Sequence, residues 1–85
     1  MINNLDIFKK KLIYRASYRG TKEMDILLSS FVNKYINKLD ERLLLELEKF
    51  LNFEDEIILN FYNNNITEKN IEKNTISNLF LRHKI

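Results

Sequence analysis

Apolar residues recur along this chain at helical spacing. Leu5, Phe8, Leu12 and Ala16 are separated by three and four positions, so they share one face of a helix. Gly20 interrupts this stripe. Met24, Leu27, Leu28, Phe31, Tyr35 and Ile36 form a second, and Leu43, Leu44, Leu47, Phe50 and Leu51 a third, with Asp40 placed to cap it. Glu54-Asp55-Glu56 puts negative charge at the start of a fourth helix, where the helix dipole favours it. That helix carries Ile57, Ile58, Phe61 and Tyr62 and is broken by Asn63-Asn64-Asn65. Thr67 is placed to cap a fifth, with Ile71, Thr75, Ile76, Leu79 and Phe80 inward. No segment alternates as a half-exposed strand would. The pattern predicts an all-α, compact five-helix bundle in a single domain, 1–85, with helices near 5–18, 22–38, 41–52, 55–63 and 68–82.

Composition narrows the chemistry. The 85 residues contain no proline, no cysteine, one glycine and one histidine. A disulfide framework and a thiolate metal site are therefore excluded, and a reducing compartment fits. A chain this short buries only ~60–65% of its unfolded surface, which leaves no room for a deep cofactor pocket with a lid. No stretch is long and apolar enough to span a bilayer, and the first residues do not read as a secretory signal, so a cytoplasmic location is expected. His83 reads as a solvated terminal residue and Met24 as core. Tyr35 and Tyr62 read as core or boundary, while Tyr14 and Tyr18 suit packing and an interface equally.

The net charge of +2 is distributed unevenly. Residues 1–22 hold six basic groups and one acid, residues 23–62 nine acids and four bases, and residues 63–85 four bases and two acids. The basic stretch of Lys9, Lys10, Lys11, Arg15, Arg19 and Lys22 reads either as a solvated helix face or as an attractor of an acidic partner.

The segment from Arg15 to Asp25 is the most unusual. Arg15 and Arg19 are four apart and share a face. Glu23 and Asp25 open the next helix. A tight turn at Gly20 would make Arg19 and Glu23 neighbours beside bare backbone. Gly20 is then either a helix C-cap or a point where a partner backbone comes close.

Arg19-Gly20-x-x-Glu23-x-Asp25 resembles the Arg-Gly-x-x-Glu motif of the succinate dehydrogenase FAD assembly factors. The longer run from Leu12 to Leu28 is similar to bacterial members throughout. Downstream, Glu54-Asp55-Glu56 and Phe61 stand where the family has an acidic cluster followed by an aromatic, usually tryptophan. The resemblance covers about residues 8–82. It implies a helical factor that binds the flavoprotein subunit of succinate dehydrogenase or fumarate reductase and promotes covalent attachment of FAD to a histidine of that subunit. Arg15, Arg19, Gly20, Glu23 and Asp25 would contact the partner. The factor itself would hold no cofactor, since FAD belongs to the flavoprotein, and it is expected to be a monomer when free.

Other classes compete less well. Glu23 and Asp25 lack a histidine, cysteine or activated serine beside them, so catalysis is not expected. A small nucleic-acid-binding helical domain could use Lys9, Lys10 and Lys11, but the middle of the chain is acidic. A generic helical protein–protein adaptor is the other alternative.

Overall fold

The computed structural model describes residues 4–64 and 74–84. These form five α-helices and no strand: α1 (Leu5–Ser17), α2 (Lys22–Tyr35), α3 (Glu41–Leu51), α4 (Asp55–Asn64) and α5 (Thr75–Arg82). The radius of gyration, 12.1 Å, is close to the ~12 Å of a compact chain of this length. No described helix is long and apolar enough to cross a membrane.

Four of the five helix starts have a side-chain cap. The first amides of a helix lack intrahelical acceptors, and a short polar side chain just before the helix supplies one. Asn4 Oδ1 accepts from Ile7 N at 3.1 Å, Thr21 Oγ1 from Met24 N at 3.3 Å, and Asp40 Oδ1 from Leu43 N at 2.9 Å. Helix α5 begins with a reciprocal pair: Ser77 N donates to Asn74 Oδ1 and Asn74 N to Ser77 Oγ, both at 2.9 Å. This cap places the start of α5 at Thr75, later than the residue 68 that the apolar pattern predicts. Thr75 is exposed rather than inward. The expected cap at Thr67 lies outside the described residues. Helix α2 also ends earlier than predicted, at Tyr35, where the chain tightens into a 3₁₀ turn over Ile36–Lys38.

The inward residues make one core. α1 packs on α2 and α3, and α5 on α3 and α4. Leu12, Ala16, Met24, Leu27, Leu28, Phe31, Leu44, Leu47, Leu51, Ile58, Phe61, Ile76 and Phe80 are all buried. Phe80 is central: its ring lies 5.0 Å from Phe50, 5.1 Å from Phe31 and 5.0 Å from Tyr62. Each such ring contributes about 1.5–3 kcal/mol through burial. Phe61, the aromatic that follows the acidic cluster, is fully buried.

His83 is not solvated. It is 3% exposed and sits over the rings of Phe31 and Tyr35. Its Nε2 lies 2.8 Å from Ser30 Oγ, and its carbonyl accepts from Tyr62 Oη at 2.6 Å. Ser30 Oγ also lies 2.9 Å from Leu27 O, so the hydroxyl bridges the imidazole and a carbonyl of α2. Nδ1 is buried without a hydrogen-bond partner. Desolvation lowers the pKa of His83, and the Lys34 ammonium adds to the effect. Position in the sequence suggested a solvated end; the apolar cleft formed by α2, α4 and α5 overrides it.

Candidate functional site

The turn joining α1 to α2 is built in steps. α1 ends when Tyr18 leaves helical geometry (φ −127°, ψ 69°), its N–H still bonded to Tyr14 O at 3.2 Å. Arg19 and Gly20 follow, and Thr21 caps α2. Gly20 has φ +122°, a conformation L side chains rarely adopt, so glycine is required by the backbone. It is not the cap of α1, which is Tyr18. A Cβ built on it would meet nothing within 4 Å, so the space beside this backbone is open.

Asp25 closes the turn from the other side. Its Oδ1 accepts from Arg19 N at 2.5 Å and from Gly20 N at 3.4 Å. One carboxylate in the first turn of α2 thus answers two amides of the incoming chain.

The Arg19 side chain turns away from Glu23 and into the bundle. It is 10% exposed. Nε pairs with Asp55 Oδ1 at 2.8 Å, Nη1 donates to Leu51 O at 2.7 Å, and Nη2 to Phe53 O at 2.7 Å. The last carbonyls of a helix have no intrahelical donor, and the planar guanidinium fork supplies donors at the end of α3. Arg19 therefore locks the α3–α4 connection to the α1–α2 turn. Arg15, one helical turn earlier, reaches the same connection through Asn52 Oδ1.

The five residues singled out from the sequence thus divide. Arg19 and Asp25 hold the turn from inside and Arg15 braces it. Gly20 and Glu23 are exposed, and Glu23 has no hydrogen-bond or ion-pair partner among the described residues. The expected Arg19–Glu23 neighbour pair is not formed, because Asp55 and two carbonyls offer Arg19 better-oriented acceptors. Asn52 and Asp55 were not legible as partners: they lie 37 and 36 residues from the arginines they meet, beyond any local spacing rule.

Beside the turn lies an open groove of about 450 Å³, lined by Tyr14, Arg15, Tyr18, Arg19, Glu54 and Asp55. Tyr14 and Tyr18 are 65% and 70% exposed, with ring centroids 4.6 Å apart. The described residues contain no group of three or more His, Asp or Glu side chains that could hold a metal ion.

This geometry sits within a sequence that matches known proteins. Proteins named mitochondrial succinate dehydrogenase assembly factor 2 are similar to the chain. The one from Saccharomyces cerevisiae is 44% identical over 48 residues, covering 56% of this chain and 30% of that protein. The one from Danio rerio is 40% identical over 48 residues, with the same shares, and the one from Schizosaccharomyces japonicus is 36% identical over 53 residues, covering 62% of this chain and 37% of that protein. The chain thus matches about a third of the length of these relatives. No solved structure shows a significant match. The family model described as flavinator of succinate dehydrogenase matches residues 10–84, which takes in the braced turn, the α3–α4 connection and the core around Phe80. With nearly the whole bundle inside that match, the chain belongs to the flavinator of succinate dehydrogenase family.

Proposed function

We propose that this protein binds the flavoprotein subunit of succinate dehydrogenase, or of the related fumarate reductase, and promotes covalent attachment of FAD to it. The observation that carries the reading is the two-sided turn at Gly20. On its inner side the Arg19 guanidinium is committed to the bundle and Asp25 to the amides of the turn. On its outer side an unobstructed glycine backbone and an unpaired Glu23 carboxylate face solvent within one turn of helix. A rigid, locally bare surface of this kind suits docking against a protein backbone, with Glu23 accepting from a donor on the partner.

In this reading the factor does no chemistry of its own. The flavin and its host supply the reacting groups. The factor holds the host in the geometry the reaction needs, and orientation alone is worth up to about 7–11 kcal/mol in ideal cases. Arg19, Asp25 and Arg15 act as positioning residues; Gly20 and Glu23 make the contact. We take the free protein to be a monomer that holds no FAD. The cytoplasmic location is part of the same proposal, although the named relatives are mitochondrial.

The test is to express the flavoprotein subunit with and without this chain, then measure complex formation and in-gel flavin fluorescence after denaturation. A stable complex and a rise in covalent flavin are expected. Loss of both in a folded Glu23→Ala variant supports the docking turn. No complex and no change in covalent flavin with the wild-type chain would overturn the function.

A further inference from the structure

Helix α1 has a second apolar line that the fold does not use. Its inner line, Leu12 and Ala16, is buried. On the opposite side Ile7, Lys11, Tyr14 and Tyr18 step by four, three and four, so they form one outward stripe. Ile7 is 52% exposed, and the two tyrosines are more exposed still. A contiguous apolar patch left in water beside a charged rim is the kind of surface that serves as a contact site.

The charge beside this stripe points to what covers it. Lys10 and Lys11 are exposed and have no ion pair among the described residues; the one described ion pair is Arg19–Asp55. Arg15 bonds the neutral amide of Asn52 and has no ion pair among the described residues. Asp6 is the only acid in the first 22 residues. The cationic run ends at the groove, whose lining also includes Glu54 and Asp55. The stripe is therefore aromatic and flanked by free cations, and it leads into the Gly20–Glu23 turn.

We propose that the outer stripe of α1 is a second contact surface, continuous with the turn, that takes an acidic extended segment of the flavoprotein partner. Carboxylates of that segment meet Lys10, Lys11 and Arg15, and an apolar side chain seats against Tyr14 and Tyr18. Tyrosine suits such an anchor because it offers large contact area with few rotatable bonds. The inference rests on the function proposed above. A single-stranded nucleic acid would also seek basic and aromatic groups, but base stacking needs open ring faces. Here the two rings lie 4.6 Å apart and partly cover each other, and the residues from 23 to 62 carry more than twice as many acids as bases.

The experiment titrates the purified flavoprotein subunit with four proteins: wild type, Tyr14→Ser/Tyr18→Ser, Lys10→Glu/Lys11→Glu and Glu23→Ala. Association and dissociation rates are read at low and high salt, with thermal melting as the folding control. The tyrosine variant is expected to melt like wild type and to bind at least tenfold more weakly, mainly through faster dissociation. The charge-reversed variant should associate more slowly and lose most of its salt dependence. Wild-type binding weakened by Glu23→Ala but unchanged in both stripe variants would overturn this inference and leave the function standing. Absence of wild-type binding would overturn both. Tight, salt-sensitive binding of a labelled single-stranded RNA, lost in the two stripe variants while flavoprotein binding persists, would also overturn it.

Discussion

Arg19 and His83 are both drawn into this small bundle, and they are treated differently. Arg19 carries a permanent charge and meets three acceptors, one of them a carboxylate. His83 meets one hydroxyl and leaves Nδ1 bare. A guanidinium cannot shed its proton to escape burial, so a fold that buries it must satisfy it. An imidazole can remain neutral and tolerate one missing partner. The Arg19 site is consequently a fixed brace, whereas the His83 site is conditional on pH.

Removal of the brace gives the largest expected effect. Arg19→Ala leaves two carbonyls and the Asp55 carboxylate without their donor. Breaking a fully buried pair costs about 3–5 kcal/mol. Asp55 is 28% exposed and can rehydrate, so about 2–4 kcal/mol is expected from urea unfolding. Arg19→Lys, which keeps the charge but loses the fork, should recover less than half of the difference. A loss below 1 kcal/mol for Arg19→Ala would show that the three contacts do not brace the fold.

Gly20→Ala comes next. Open space around the glycine removes any steric clash, yet φ +122° strains an L residue, so about 1–3 kcal/mol of stability should be lost. Partner binding by the folded fraction of this variant then separates backbone strain from contact.

The pH dependence of the His83 site is smaller and has a definite sign. Because burial lowers the His83 pKa, the unfolded chain takes up a proton before the folded one does. The stabilisation is fully present above the unfolded value of about 6.5 and is lost as pH falls from there towards the folded value. Melting temperatures of wild type should therefore drop more steeply than those of His83→Gln as pH falls below about 6.5. Parallel curves would remove the histidine from the account.

Glu23→Ala should change stability least. The side chain is exposed and unpaired among the described residues, so the melting curve should overlay that of wild type while flavoprotein binding falls. A changed melting point would mean that Glu23, like Arg19, is part of the brace.

What the sequence disclosed follows from the range of the interactions involved. Helices α1, α3 and α4 were legible because their stripes are local, as Leu44, Leu47 and Leu51 repeat within one helix, and Asp40 caps α3 at a separation of three residues. The start of α5 was misplaced because it is set by the reciprocal Asn74–Ser77 cap, which the spacing of apolar residues does not register. The motif residues were visible through the family resemblance, but their division of labour was not. Arg19 was expected to face a partner, and it faces Leu51, Phe53 and Asp55 instead, which no periodicity links to it. His83 was misread because nearness to the end of the chain says nothing about a cleft assembled from Ser30, Phe31, Tyr35 and Tyr62.

The reach of Arg19 also bears on how the docking turn comes into being during synthesis. The motif is complete once residue 25 has left the ribosome, but the acceptors that fix its arginine arrive 32–36 residues after it. A peptide spanning 15–25 contains every letter of the motif and none of those acceptors. Under the function proposed above, recognition at this turn is reserved for chains that have already docked α3 and α4, and copies lacking those acceptors do not compete for the flavoprotein.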